Sequence, residues 1–244
     1  MKVIITMAGE GNRFKKIGIS IPKYEIIANG KTLFEWSLLS LKELWNEEFI
    51  FVVRKKIYNR NFIEKICNKL KISKVIIKEI DYLTEGQANT VFLCDEYLKS
   101  EDEIVIYNID TYIKGEIAKI KEMKKFDGYI PVFKAEGEKW SFIKLNNNFE
   151  VIDIVEKKRI SNLASIGFYY FKSWKDYKEI YLKSKEKIKE EFKEIYIAPM
   201  YRYLLNENKK IGYKIIDSSN VFVLGTPEDL EKFDNSYIEN NDVN

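Results

Sequence analysis

The chain has 244 residues, a hydrophobic share of 45% and a formal net charge of +3, with acids and bases interspersed. That length suits one large α/β domain or two small ones with a proper core, and so small a charge argues against a dedicated DNA-binding surface, which needs a concentrated basic stripe. There is no histidine, which removes Ser-His and Cys-His triads and any metal site built on imidazole.

Cys67 and Cys94 lie far apart among apolar residues and read as buried free thiols, not as a zinc or disulfide framework. Carboxylates, lysine, arginine and a bound cation remain as tools for chemistry, the set that Mg²⁺-assisted phosphate chemistry uses. The N-terminus lacks the pattern of a signal peptide. No apolar run approaches the ~20 residues needed to span a bilayer. The expectation is a cytoplasmic protein without a membrane span or a nucleic-acid partner; a homo-oligomer is left open.

In chain order, residues 2–7 read as a buried parallel strand. A helix is predicted over 32–46, with Phe34, Leu38, Leu41 and Leu44 near one face. Strands follow at 49–53 and 75–77, with an amphipathic helix over 57–70 between them. A helix is predicted over 87–99, and a further strand at 104–107 leads into Asn108-Ile109-Asp110. This alternation of strand and helix predicts a parallel α/β sheet. Beyond it the rhythm changes. Runs at 128–133, 141–145, 151–155 and 164–171 read as closely spaced strands, with Asn146-Asn147-Asn148 as a hairpin turn. A charged helix spans 175–194, a short helix 199–206, and the last strands fall within 211–223. No Gly-, Pro- or Ser-rich linker divides the chain, so residues 1–233 are expected to form one domain with a mixed, mainly parallel sheet. Residues 234–244 are expected to be a polar, disordered tail.

The chemistry concentrates at strand ends. Met7-Ala8-Gly9-Glu10-Gly11-Asn12-Arg13 follows the first strand. Small residues there leave backbone N–H groups free to cradle phosphate, and Arg13 and Lys23 add charge. The loop is not the dinucleotide fingerprint, because Phe14 stands where the third glycine is required. Nor is it a Walker A loop, which no stretch of the chain matches. Asp110 ends an apolar strand on the edge where this loop emerges, where it can hold Mg²⁺ or serve as an ordinary turn or cap residue. Glu85-Gly86-Gln87-Ala88 opens a helix with small residues. Such a turn can approach a flat base, with Gln87 reading its edge, or can be a plain helix start. Glu156-Lys157 ends a strand and can orient a phosphorylated substrate, or be a solvated turn.

Taken in order, these segments resemble the nucleotidyltransferases that activate sugar phosphates and related compounds. The resemblance rests on Ala8-Gly9-Glu10-Gly11-Asn12-Arg13, Pro22-Lys23, Glu85-Gly86-Gln87-Ala88, Asp110, Glu156-Lys157, Gly167-Phe168-Tyr169 and Gly225-Thr226-Pro227-Glu228-Asp229-Leu230. It implies a Rossmann-like three-layer sandwich, as in nucleotide-diphospho-sugar transferases. It also implies transfer of a nucleotidyl group from an NTP to a phosphorylated small molecule, with Mg²⁺ as cofactor and pyrophosphate as leaving group. The branch it looks closest to is the short bacterial one associated with capsule genes, which implies CTP as nucleotide and a phosphoglutamine-type acceptor. A sugar-1-phosphate acceptor with UTP, GTP or dTTP is the alternative. By resemblance Arg13, Lys23 and Asp110 are catalytic and Asp110 binds metal. Met7, Ala8, Gly9, Glu10, Gly11, Asn12, Gln87 and Ala88 surround the nucleotide, and Glu156, Lys157 and Gly167 the acceptor. Many members carry a second metal-binding aspartate just before the Gly-Thr segment. Here Asn220 to Leu224 holds no carboxylate, and Asp217 is the nearest candidate. A metal-dependent glycosyltransferase is a rival, but Asn108-Ile109-Asp110 lacks the first acid of its D-x-D. A non-catalytic nucleotide sensor is another.

Overall fold

The computed structural model describes residues 1–241. The apolar run at the start forms the strand Lys2–Thr6, with Val3, Ile4 and Ile5 fully buried. A strand apolar on both faces belongs in the middle of a covered parallel sheet. It lies between Ile104–Asn108 and Glu48–Arg54 in a seven-stranded sheet whose order is Ile211–Gly212, Gly128–Tyr129, Phe168–Phe171, Ile104–Asn108, Lys2–Thr6, Glu48–Arg54, Val75–Ile80. Every strand runs parallel except Phe168–Phe171, which is antiparallel to both neighbours.

Strand alternation divides the core between the two faces. Val3, Ile5, Phe49 and Phe51 pack with Phe34, Leu38, Ile63 and Ile66, so the helices Leu33–Leu39 and Arg60–Lys69 cover that side. Ile4, Ile50, Val52 and Ile106 pack with Ala88, Val91, Tyr177, Ile180 and Leu204, from the helices Gln87–Phe92, Trp174–Phe192 and Tyr201–Asn206. The result is the expected three-layer, Rossmann-like sandwich. Side-chain caps fix the helix starts, as where Thr32 accepts from Glu35 N–H at 3.2 Å and Ser173 from Asp176 N–H at 3.1 Å. The helix predicted over 32–46 stops at Leu39 and resumes as a 3₁₀ turn at Lys42–Leu44. Ser40 marks the break, because its hydroxyl accepts the Ile113 N–H at 2.8 Å.

The second half departs from the single sheet that was expected. The runs at 128–133, 164–171 and 211–223 each cross between the main sheet and a separate five-stranded sheet. Gly128–Tyr129 continues as Val132–Lys134, Leu163–Ser165 leads into Phe168–Phe171, and Ile211–Gly212 continues as Ile215–Ile216. The bends fall at Pro131, which has no N–H for a ladder, and at Gly167, whose φ of 81° favours glycine. Hydrogen bonds cross the seam, with Ile130 N–H donating to Gly212 O at 3.0 Å and Val132 N–H to Lys214 O at 2.8 Å. The bend is therefore continuous, with backbone hydrogen bonds carried from one sheet to the other.

The tail also differs from expectation. Tyr237 is 2% exposed and joins Phe14, Ile19, Ile26, Leu33, Leu224 and Leu230 in a satellite core. Asp234 accepts the Asn29 N–H at 2.6 Å, and the Asn241 side chain brackets Ile27, accepting its N–H at 2.9 Å and donating to its carbonyl at 2.8 Å. Polar residues that read as disordered here satisfy the edge of the small hairpin Ile27–Ala28/Lys31–Thr32. Residues 242–244 of the predicted tail lie outside the described residues.

Candidate active site

The parallel strands end together at one edge, where open α/β sheets bind ligands. A cleft of about 1030 Å³ opens there, lined by residues 6–15 of the first loop, by Pro22 and Lys23, by Leu83 to Gln87, and by Asn108 to Asp110. Met7, Ala8, Gly9, Glu10, Gly11, Asn12, Arg13, Lys23, Gln87 and Asp110 are thus brought to one wall system, although they come from separate parts of the chain.

The two glycines of the loop have different reasons to be there. Gly11 has φ of 65°, a left-handed position that a side chain would strain. Gly9 has no such φ, and a Cβ added to it would meet nothing within 4 Å. The fold does not require glycine at that position. What it leaves open is cleft space in which another molecule can approach the backbone.

Beside the loop, where a Cβ on Gly11 would lie 3.5 Å from Lys23 Cβ, Lys23 Nζ donates to Asp110 Oδ2 at 2.7 Å. Both side chains keep about a quarter of their surface accessible. Burial pushes the Asp110 carboxyl up, but the charge and hydrogen bond of Lys23, with Asp110's own backbone N–H and Arg13, hold it below the usual carboxylate range. The Gly225-Thr226 segment packs beneath it. Leu224 N–H donates to the Asp110 carbonyl at 2.8 Å, and a Cβ on Gly225 would lie 3.0 Å from Asp110 Oδ2. Thr226 caps the helix Pro227–Phe233 by accepting from Asp229 N–H at 3.1 Å, which fixes that approach.

Gln87 is held by its own amide. Its Nε2 donates to Thr6 Oγ1 at 3.1 Å and to Asn108 Oδ1 at 2.8 Å, leaving Oε1 as the free polar atom. The turn before it is clamped to the loop after the long helix Trp174–Phe192. Ile195 N–H donates to Glu85 O at 2.8 Å, and Ala88 N–H donates to Ile195 O at 3.0 Å. Gly86, at φ of 140°, lies so close that a Cβ would stand 2.5 Å from the Ile195 nitrogen.

Residues 2–233 match the family model described as Nucleotidyl transferase. The chain belongs to the Nucleotidyl transferase family. Among solved structures it is similar to the nucleoside-diphosphate-sugar pyrophosphorylase from Vibrio cholerae RC9, with 33% identity, a TM-score of 0.87, and coverage of 96% of this chain and 99% of that one. The inositol-1-phosphate CTP transferase from T. maritima shares the fold at a TM-score of 0.69 and 20% identity, covering 93% of this chain and 90% of that one. A bifunctional sugar-1-phosphate nucleotidylyltransferase/acetyltransferase of Sulfurisphaera tokodaii is 27% identical over 177 residues, 71% of this chain and 41% of that protein. The chain spans less than half the length of the curated relatives it matches, 48% and 41%.

In this member of the family some predicted residues fall elsewhere than expected. Ala88 is fully buried under the turn and contributes packing and its bond to Ile195, not cleft surface. Gly167 sits behind Asn108, where any Cβ would collide with that side chain. It lets the antiparallel strand approach the residue that holds Gln87. Glu156 is 6% exposed and accepts from Ser141, and Lys157 donates to the Tyr196 hydroxyl while its ammonium sits 4.3 Å from that ring's centre. Neither lines the cleft directly; both adjoin the loop whose Lys193 and Glu194 do. Burial raises the Glu156 carboxyl, with Glu194 adding to the rise against the opposing pull of Ser141 and Lys157. Asp217 is not in the cleft. It caps the 3₁₀ turn Ser218–Asn220, accepting from Ser219 N–H at 2.9 Å and Ser219 Oγ at 2.7 Å. Lying outside the cleft that Asp110 lines, it does not stand where a second metal-binding aspartate was expected. Lys193 and Glu194 are cleft residues that sequence reasoning left on a solvated helix. The left-handed φ of 68° at Lys193, which ends the helix and turns the chain inward, has no glycine to announce it. No helix among the described residues is long and apolar enough to cross a membrane.

Proposed function

We propose that this chain joins an NTP to a phosphorylated small molecule and releases pyrophosphate. The observation that carries the reading is the Lys23–Asp110 pair set directly beside the Gly9–Arg13 loop in the wall of one cleft. An anionic oxygen of the acceptor phosphate attacks the α-phosphorus, and the bond from that phosphorus to the bridging oxygen of the β-phosphate breaks. Such an oxygen needs no general base, which fits a chain without histidine. Catalysis then rests on positioning and charge neutralisation. Backbone donors near Gly9 and Gly11 cradle the triphosphate, Arg13 neutralises the leaving pyrophosphate, and Lys23 serves the α-phosphate and the incoming oxygen. Glu156 and Lys157, through the loop at 193–196, orient the acceptor.

Among the described residues no three His, Cys, Asp or Glu side chains converge. The donor chemistry still fits Mg²⁺, a hard cation that usually takes one or two carboxylates and completes its shell with phosphate oxygens and water. Asp110, kept acidic, would hold it. When bound, Mg²⁺ supplies charge neutralisation at the phosphates.

CTP, a phosphoglutamine-type acceptor and a role in capsule or surface polysaccharide synthesis are the narrower form of the proposal, supported by the sequence resemblance and the compact Gly86-Gln87 turn. The names of the Vibrio and Sulfurisphaera relatives speak of sugar substrates and support a second form with a sugar 1-phosphate acceptor, for which UTP, GTP or dTTP is the nucleotide we propose. Pyrophosphate release measured with the common nucleotides against phosphoglutamine and a panel of sugar 1-phosphates separates the two. Full activity in both Lys23→Ala and Asp110→Ala would overturn the site.

A further inference from the structure

Gln87 reaches the cleft from the start of its helix, and two strand ends hold it there. Thr6 and Asn108 close the neighbouring parallel strands Lys2–Thr6 and Ile104–Asn108 and stand side by side in register. Both line the cleft together with Gln87. Gln87 Nε2 donates to each of them, at 3.1 Å to Thr6 Oγ1 and at 2.8 Å to Asn108 Oδ1. A side-chain amide carries its donors on nitrogen and only acceptor capacity on oxygen. Its donors are therefore spent inside the protein, and Oε1 alone is left for a ligand.

Asn108 is itself fixed from behind. Its backbone N–H donates to Gly167 O at 3.2 Å, and its Nδ2 lies so near Gly167 that a Cβ there would stand 2.2 Å away. The two amides are coupled. If Asn108 turned its nitrogen toward Gln87, Gln87 would have to answer with Oε1 and offer Nε2 to the cleft instead. An amide held by nothing could present either atom. The difference matters because amino and oxo bases carry opposite patterns. Cytosine and adenine offer an exocyclic amino donor where uracil, thymine and guanine offer a carbonyl acceptor. At the adjoining ring nitrogen the order is reversed, so a fixed acceptor meeting either position distinguishes cytosine from uracil.

We propose that Thr6 and Asn108 are positioning residues that hold the Gln87 amide in one orientation, so that the site tells amino bases from oxo bases. The fixed Oε1 accepts from one class and faces a lone pair of the other, which is a repulsive contact as well as a lost hydrogen bond. Thr6 and Asn108 do this through Gln87, without touching the nucleotide themselves. The inference rests on the nucleotidyl-transfer reading and on Gln87 meeting the base.

The first readout needs no nucleotide. In heteronuclear NMR spectra of the full chain, the Gln87 side-chain amide signals are identified by their loss in Gln87→Glu. Their protons should exchange with water roughly two- to tenfold faster in Asn108→Ala and in Thr6→Val than in wild type, the range for one lost hydrogen bond. Asn108→Asp, whose carboxylate can only accept, should keep them protected. The second readout is equilibrium binding of CTP, UTP, GTP, dTTP and ATP with Mg²⁺. The wild type should separate CTP from UTP by at least about tenfold, the cost of a polar group left unmet. Asn108→Ala and Thr6→Val should bring that ratio toward one. Asn108→Asp adds negative charge near the phosphates and should weaken all five nucleotides together, keeping the ratio. A wild-type ratio near one, an unchanged ratio in both Asn108→Ala and Thr6→Val, or an inverted ratio in Asn108→Asp would each overturn the assignment. A wild-type protein that binds none of the five would overturn the nucleotide reading itself, whatever the amide signals show.

Discussion

Lys23 and Asp110 show how far single side chains carry the argument. They form an ion pair in a partly accessible cleft, and the Asp110 carboxyl is held in its charged form by Lys23. Replacing either with alanine should lower pyrophosphate release by on the order of 10²–10³, measured at saturating nucleotide. The pair also has a pH signature. Because Asp110 is depressed in the folded state, its stabilisation is present above the unfolded carboxylate value of about 3.9 and lost as pH falls through the lower folded value. The melting-temperature gap between wild type and Asp110→Asn should therefore shrink as pH drops below about 4. Glu156 has the opposite sign. Its folded carboxyl is raised, so its contribution is intact below about 4.3 and is lost as pH rises through the raised value. Glu156→Gln should melt above wild type at neutral pH, with the difference closing in acid. Gly9 makes a third case. With open space and an ordinary φ, Gly9→Ala should fold like wild type while KM for the nucleotide rises at least about tenfold; a large melting loss with unchanged KM would contradict its assignment to ligand approach.

At the scale of elements, Gly86 is the position where the turn has least freedom. Alanine there faces both a φ of 140° and the Ile195 backbone at 2.5 Å. Gly86→Ala should cost at least about 2 kcal/mol, roughly 4–8 °C of melting temperature for a chain near this size. The main parallel strands were legible because Val3-Ile4-Ile5 and Phe49 to Val53 are apolar on both faces. Asp110 was legible because it ends such a strand. The seam between the two sheets was not, because runs such as 164–171 keep strand character on both sides of Gly167 and period alone carries no information about which sheet a residue joins. Asp217 and Ala88 were misplaced for a related reason. Motif spacing brings a residue near the right turn, but whether its side chain is spent on a cap or on packing is decided by neighbours distant in sequence.

Across the whole molecule, the satellite core ties residues 234–241 to the segment following Lys23. Tyr237 fills it, and Asp234 and Asn241 hold the hairpin at Ile27. Tyr237→Ala should cost about 3 kcal/mol, as large aromatic deletions do, and ending the chain at Phe233 should cost more, both read by denaturant unfolding. The polar composition after residue 233 concealed this, since one buried aromatic and two carboxyl or amide groups suffice to anchor it. The continuous bend between the sheets predicts a single cooperative unfolding transition rather than separate ones. The clamp between Glu85, Ala88 and Ile195 has a thermodynamic corollary. Any shift that an acceptor imposes on the loop at 193–196 reaches Gln87 through those backbone bonds. Reciprocity then requires the nucleotide to change acceptor affinity by the same factor by which the acceptor changes nucleotide affinity.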